Sequence, residues 1–557
     1  MQVRLLRIIS LFMAVLLAVL LPSCNKTSAP GNDSNLSTSK NDSTESTTAP
    51  TTTDTSDTVD TDTNITDPVE DTTMNTPGTS KNTNSSQTKK GTVGTVKTKS
   101  YTVNGIPRAY LTDAINVKFV RQDESYVKVY DKSKLNKSSG TVIDVDTSKT
   151  YQTIDGFGAS ITDTAAFVMY EMPEEERNSA MEKLFDRNKG IGLSMIRNCI
   201  GSSDFAREYY TYNDLPEGEE DWNLEKFDIS HDLKQIIPLT KQAISINQNI
   251  KLIASPWTAP LWMKTEWTFI GTNKPMLRRE CYQVYANYLV KFIQEYQRNG
   301  VPVFAITPQN EPHALVPWPG MYFDWESEAI FVSEYLRPAL NKAGLKTKVL
   351  VWDHNWDEAD VANAIMSATL DSADGVAYHW YGGEPEDMNT TSSYFPDKLI
   401  YVTEASSSNG NPNGIFRNIS SKIIRSLRSN AKGYILWNLA LDENGGPTYN
   451  NINNHCTGLV VANREKKKIF YNPDYYALAH FSKFIHLGAV RVYSTETGKS
   501  SDSLTNIVCV NPNGTMTAVV INGFAKDIVT KLVIGDKVIE VNIPKLSGLT
   551  LTWDANV

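Results

Sequence analysis

The chain has 557 residues, with 54 Lys plus Arg against 63 Asp plus Glu and a formal net charge of −9. That balance excludes the basic surface with which nucleic-acid binders neutralise phosphates, and a mean hydropathy of −0.34 excludes a polytopic membrane protein. Aromatic residues make up 10% of the chain, including 11 Trp and 25 Tyr, which suits stacking against flat, weakly polar ligands.

Residues 1–24 read as an export segment. Arg4 and Arg7 precede an apolar run from Ile8 to Leu21, broken only by Ser10 and too short to span a bilayer comfortably. Leu21-Pro22-Ser23-Cys24 then resembles a bacterial lipoprotein box, with Cys24 as the acylated residue, anchoring the chain at a cell surface. Residues 25–100 are Ser, Thr, Asn, Asp, Gly and Pro with almost no large apolar side chain. Such a segment cannot bury enough surface to offset its ordering entropy, and it reads as a disordered tether spanning about 45–50 Å.

Structure is expected from Tyr101. Residues 101–150 hold strand-like runs at Val117–Tyr130 and Thr141–Val145. Residues 151–475 then alternate apolar, strand-like runs with longer stretches of helical period. The strand runs are Thr153–Gly158, Leu193–Asn198, Lys251–Pro256, Val303–Gln309, Lys348–Asp353, Gly375–His379, Leu399–Glu404 and Tyr434–Leu439. Tyr282–Gln297 and Ala329–Ala343 carry apolar residues at three- and four-residue steps, as helices do. Eight such repeats predict an α/β fold, a (β/α)8 TIM barrel rather than a doubly wound sheet. No G-x-G-x-x-G follows the first strand, which weighs against a dinucleotide-binding fold. From about Tyr476 to the end at 557 the period becomes two, over Thr515–Asn522, Ile528–Ile534, Lys537–Ile543 and Leu549–Trp553. That tail predicts a flanking β-sandwich completed by residues 101–150. The five cysteines are too scattered for a disulfide scaffold or a zinc site. Cys199 and Cys456 each read as buried and receive no role.

Barrels carry their catalytic groups where strands end at the C-terminal face. Those ends are Arg197-Asn198, with Asp204 beyond, then Ser255-Pro256-Trp257-Thr258, Asn310-Glu311-Pro312 and Asp353-His354-Asn355. His379-Trp380-Tyr381, Thr403-Glu404 and Trp437-Asn438 follow. Two carboxylates, Glu311 and Glu404, stand on strands four and seven, across the barrel mouth. Glycoside hydrolysis needs such a pair: one acid to protonate the leaving oxygen and one carboxylate on the other face of the sugar, about 5–5.5 Å away when configuration is retained. The acid must keep its proton near neutral pH, so Glu311 is expected to be the more desolvated or like-charge-coupled of the two. Arg197 is expected to hold Glu404 ionised, and Tyr381 or His379 to orient it. Asn310 would meet a 2-hydroxyl, Trp437 would give a stacking floor, and Asp204 with Trp257 would hold distal hydroxyls. Glu326, Glu328, Glu384, Glu386 and Glu443 lie in loops and read as solvated.

At these residues the chain resembles glycoside hydrolase family 30, the clan-A retaining β-glycosidases. The matching segments are DGFGASITD from Asp155, SMIRNCIGSSDF around Arg197 and Asp204, ASPWTAPLWMK from Ala254 and TPQNEP ending at Pro312. HWY at His379, TEAS at Thr403 and WNLALDENGGP from Trp437 complete the set. The resemblance implies Glu311 as acid/base and Glu404 as nucleophile. It also implies a glucose subsite lined by Arg197, Asp204, Trp257, Asn310, Tyr381 and Trp437. After Pro447 the sequence departs from the lysosomal branch and looks more like the microbial β-1,6-glucanase branch, so no site residue is drawn from the Pro447–Val460 loop. An endo-β-1,6-glucanase is expected, with glucosylceramide or another β-glucoside as the alternative substrate. A non-catalytic carbohydrate-binding lipoprotein is the alternative of another class. A monomer needing no cofactor is expected, since neither H-E-x-x-H nor a P-loop is present.

Overall fold

The structure is a computed structural model that describes residues 101–408, 410–452 and 455–555. The expected export segment, Cys24 and the tether lie outside the described residues. Eight parallel strands close on themselves in chain order. They are β1 (Gly156–Ile161), β2 (Met195–Ile200), β3 (Lys251–Pro256), β4 (Ala305–Ile306), β5 (Lys348–Asn355), β6 (Gly375–His379), β7 (Leu399–Glu404) and β8 (Gly433–Leu436). Met195, Ile253, Ala305, Leu350, Ala377, Tyr401 and Ile435 pack together inside the cylinder. The opposite strand faces meet the helices. Burial on both faces is why these strands read as near-continuous apolar runs rather than alternations.

Strands β3, β6 and β7 coincide with the expected runs. The expected Val303–Gln309 strand shortens to two residues because its end serves other partners. Thr307 Oγ1 donates to Asp353 at 2.8 Å, Gln309 Nε2 to the Trp257 carbonyl at 2.7 Å, and the Asn310 N–H to the Pro256 carbonyl at 2.8 Å. The helix over Tyr282–Arg298 forms as expected, burying Tyr285, Tyr288, Leu289, Phe292 and Tyr296 on one face. The expected Ala329–Ala343 helix starts earlier, at Trp325, where the Asp324 side chain caps it, and widens into a π turn over Phe331–Leu336. Pro338 lies just beyond and cannot donate to the carbonyl four residues back, so the regular ladder is broken there.

Of the remaining strands, ten form one hydrogen-bonded series, four of them supplied by the N-terminal segment, and Ala440–Leu441, Val460–Asn463 and Lys468–Tyr471 make a separate small sheet. Thr141–Ile154 sits between Ala489–Ser494 and Ile528–Ile534, so chain ends far apart in sequence share one core. The expected Val117–Tyr130 strand is split into Phe119–Arg121 and Lys128–Asp131 by a turn capped by Asp123. The shift to strands also comes later than Tyr476, because Pro473–Ser482 is a helix packed on Pro412–Arg428 and β1. Among the described residues no helix is long and apolar enough to cross a membrane.

His480, on that helix, is fully buried where barrel and sandwich meet, hydrogen-bonded to Thr550 and Thr112 at 2.8 Å each. Burial pulls its imidazole down to about 3 from an ordinary 6.5. The unfolded chain therefore binds a proton that the fold refuses, and stability falls as pH drops below 6.5, by about 1.4 kcal/mol per unit. His480→Gln should flatten the decline of Tm between pH 7 and pH 4.5. Parallel Tm curves for the two proteins would remove His480 as the cause.

Candidate active site

The strand ends converge on a buried guanidinium. Arg197, from β2, is fully buried, and its Nη1 donates to Glu404 Oε2 at 2.5 Å. Its Nη2 donates to Asp353 Oδ2 at 2.9 Å and to Asn310 Oδ1 at 2.7 Å. A guanidinium only donates, so Asn310 must turn its oxygen toward it, leaving the amide –NH2 as the donor available to a ligand. Burying a cation this deeply is tolerated only with paired charge, and two carboxylates provide it.

Asp353 is the hub of the network, a role the sequence did not single out. Its two oxygens accept from Arg197, from Ser255 Oγ at 2.7 Å, from Thr307 Oγ1 at 2.8 Å and from Thr403 Oγ1 at 2.6 Å. His379 Nε2 adds a fifth contact at 3.0 Å. The hydroxyls at the ends of β3, β4 and β7 were the available signal: three strand ends offering donors imply an acceptor between them. A break in register delivers this acceptor. Strand β6 pairs Ala377 with Trp352 and Tyr378 with His354, leaving Asp353 as the extra residue. Trp352 and Asp353 take φ of 79° and 53°, and Glu311 and Asn438 are also left-handed at 43° and 65°. Such backbone costs about 1–3 kcal/mol per residue and persists where surrounding contacts over-determine it, as at functional sites.

Glu311 faces two imidazoles. His379 Nδ1 lies 2.9 Å from its Oε1 and His354 Nδ1 lies 3.7 Å from the same atom. Burial pushes the Glu311 carboxyl up, but the two imidazoles outweigh it and hold it well below the usual carboxylate range. Burial pulls His379 down, yet Glu404 and Asp353 push it up to about 9. Glu404 is raised, chiefly by burial and also by the Glu311 charge, against His379 and Arg197. The expectation that Glu311 is the more desolvated carboxyl is therefore reversed: its side chain is 16% exposed against 7% for Glu404. The cause is His379. Because Asp353 accepts the Nε2–H, the Nδ1···Glu311 contact holds the pair's remaining proton, written as carboxylate with imidazolium or as acid with neutral imidazole.

Tyr381 donates its hydroxyl to Glu404 Oε1 at 2.8 Å while its ring stands at the rim, 46% exposed. Tyrosine, not His379, thus orients Glu404, and His379 serves Glu311. Trp257 and Trp437 stack on each other with centroids 5.1 Å apart, and Arg197 lies over both rings. Both indoles are buried, so the open stacking floor expected of Trp437 is covered, and the pair braces the guanidinium. Asp204 is buried beside this cluster, whose members include Phe205 and Cys199. Farther out, Tyr209 packs on Tyr449 at 4.5 Å and on Phe269 at 5.9 Å, an aromatic rim the sequence reading left unassigned.

Residues 154–485 match the glycosyl hydrolase family 30 TIM-barrel domain, and residues 488–551 match the family 30 beta sandwich domain. The chain belongs to glycosyl hydrolase family 30. As a member of family 30 it is a glycoside hydrolase. It is 32% identical over 453 residues to a putative glucosylceramidase 3 of Caenorhabditis elegans, spanning 77% of this chain and 85% of that one. It is 30% identical to an endo-1,6-β-D-glucanase of Trichoderma harzianum, over 69% of this chain and 80% of that one. Among solved structures, the endo-β1,6-glucanase BT3312 superposes with a TM-score of 0.72 at 30% identity, covering 81% of this chain and all of that one.

Behind the site of this family 30 chain, one carboxyl departs from expectation. Glu328, read as solvated, is 1% exposed, and its Oε1 accepts the Trp352 N–H at 2.9 Å, pinning the left-handed turn before Asp353. Glu386 is not free either: it pairs with Arg425 on the helix over Pro412–Arg428. Burial pushes the Glu328 carboxyl up to about 8, so the folded protein holds a proton that the unfolded chain has lost above pH 4.5. Stability associated with this group therefore declines as pH rises from 4.5 to 8, by about 1.4 kcal/mol per unit. Glu328→Gln can still accept from Trp352 and carries no such penalty. Urea midpoints should show the variant gaining on the parent between pH 5 and pH 8, with kcat retained. A gap that stays constant with pH would show that Glu328 is not buried as an acid.

Proposed function

We propose that the chain is an endo-β-1,6-glucanase that works by double displacement, with Glu404 as nucleophile and Glu311 as acid/base. The observation carrying this reading is the way the two carboxyls are held differently within one network. Both oxygens of Glu404 are tied, to Arg197 and Tyr381, which aims it as a fixed carboxylate. Glu311 instead shares a proton with His379. In the first step the Glu404 carboxylate attacks the anomeric carbon, the glycosidic C–O bond breaks, and the leaving oxygen takes the proton from Glu311. That proton is the one shared with His379: it lies on Glu311 at the moment of donation, so the step leaves Glu311 as carboxylate and His379 neutral, while Asp353 keeps the Nε2–H in place. In the second step Glu311 draws a proton from water, which attacks the same carbon and frees Glu404. The Asn310 –NH2 group, fixed by Arg197, is placed to meet a ring hydroxyl, and Asp204 and Trp257 bound the far side of the subsite.

The substrate reading follows the relatives named as β-1,6-glucanases, and the rim of Tyr209, Tyr449 and Phe269 supports it. Ring faces outside the pocket suit further glucose units of a polymer. The similarity to the nematode glucosylceramidase favours a second reading, a β-glucoside with a non-sugar leaving group. Product analysis on pustulan, laminarin, glucosylceramide and a nitrophenyl β-glucoside separates the two. Gluco-oligosaccharides from pustulan support the endo reading, whereas glucose from glucosylceramide with intact pustulan replaces it. We also read the protein as a monomer exported and held at a bacterial surface by acylation of Cys24. Cys24→Ser should leave it in the soluble fraction.

A further inference from the structure

We propose that Glu311, His354 and His379 form a site for a borderline transition-metal cation such as Zn2+, and that its occupation shuts hydrolysis off. The three residues end adjacent strands or follow them: Glu311 after β4, His354 on β5 and His379 on β6. Their ligand atoms all lie within 4.8 Å of one another. The contacts on Glu311 Oε1, 2.9 Å from His379 Nδ1 and 3.7 Å from His354 Nδ1, bracket the spacing of about 3.4 Å that 2.0–2.1 Å bonds to a tetrahedral zinc require.

Two features point to a ligand rather than to packing alone. His354 is 7% exposed, and its Nδ1 is buried without a hydrogen-bond partner, although it is aimed at the Glu311 carboxyl. The extra residue in β5 is what turns it inward. Asp353 and His354 are consecutive and would face opposite sides of a regular strand, yet both reach the barrel mouth. The second feature is the Asp353–His379 contact at 3.0 Å. A carboxylate holding one imidazole nitrogen as N–H, and thereby directing the lone pair of the other, is the usual outer shell of a metal-bound histidine.

Charge favours the ion as well. With neutral histidines, Glu311, Asp353 and Glu404 face one permanent cation, Arg197, and a dication cancels the remaining two negative charges. Two imidazoles and one carboxylate select Zn2+, Cu2+, Ni2+ or Co2+ over Mg2+ or Ca2+, which take oxygen ligands. Binding releases the proton shared by Glu311 and His379 to solvent and places the metal on the oxygen that would carry it, so no acid remains for the leaving group.

The test uses the whole chain freed of metal with a chelator and titrated with ZnCl2, by calorimetry and by hydrolysis rate in parallel. One ion per chain, loss of hydrolysis at the same concentration and full recovery with chelator are expected. Co2+ should give the visible bands of a low-coordinate site. In His354→Asn, with each rate referred to the variant's own metal-free value, the affinity should fall at least as far as when an outer-shell partner is lost, about 10–100-fold. Glu311→Gln, followed by calorimetry alone, should lose binding similarly. Absence of Zn2+ binding in the parent, or equal Zn2+ affinity in parent and variants, overturns the proposal. The calorimetric and cobalt readouts do not depend on the glucanase reading, so the two can fail separately.

Discussion

Glu404→Gln is expected to lower kcat by about 10^4- to 10^6-fold, the scale on which loss of a covalent nucleophile acts. The amide keeps the volume of the carboxylate and can still satisfy its neighbours. Its oxygen can accept from Arg197 Nη1, and its –NH2 can donate to the Tyr381 hydroxyl, the two groups that hold Glu404 now. The fold should therefore survive, with circular dichroism and Tm near the parent's, while attack on the anomeric carbon fails. The shorter Glu404→Ala leaves room for a small anion. Added azide should restore turnover there and give a glycosyl azide of inverted configuration, because the first displacement is no longer followed by a second. Parent-like hydrolysis by the Gln variant would refute Glu404 as the nucleophile.

Replacing Asp353 should have the largest effect on the fold and a large one on the chemistry. Asp353→Ala leaves the Arg197 and His379 cations facing each other without their common anion, and it takes from the hydroxyls of Ser255, Thr307 and Thr403 the acceptor they share. Breaking a buried pair from one side costs about 3–5 kcal/mol, so a marked fall in the denaturation midpoint is expected. Asp353→Asn keeps the shape and loses the charge, and it separates structure from function. Its Tm should fall less, but kcat should drop while KM changes little, because Asp353 touches no substrate and acts through His379 and Arg197. The His379 imidazole should also titrate lower, since Asp353 is one of the two carboxylates that raise it. Proton NMR of the imidazole reads this directly. An unmoved His379 titration with reduced kcat would remove Asp353 as its positioning residue.

Much of the molecule was legible in the chain because the governing forces are local or strongly patterned. Strands β3, β6 and β7 read correctly since a buried parallel strand is a short apolar run with sharp ends. The period-two strands over Thr515–Asn522, Ile528–Ile534 and Lys537–Ile543 read correctly because alternate residues of each, such as Met516, Ala518 and Val520 or Ile539, Val541 and Ile543, enter one shared core. The helix over Pro473–Ser482 did not, because it is buried nearly all round and has almost no amphipathic signal. The first strand, Asn104–Thr112, is held by the last, Ser547–Asp554, a pairing across more than 400 residues that no local pattern announces.

The same division holds at the site. The sequence by itself determined that Glu311, Glu404, Arg197, His379 and Tyr381 stand at strand ends, because alternating strands and helices permit one closed order and one functional face. Only the tertiary structure decided who partners whom: His379 turns to Glu311 rather than Glu404, Glu328 is buried, and Asp353 joins the two carboxyls. The physical reason is that partner choice here depends on a one-residue register break in β5 and on left-handed turns at Trp352, Asp353 and Glu311. Those conformations are unfavourable for the residues that adopt them, and only the packed barrel holds them in place.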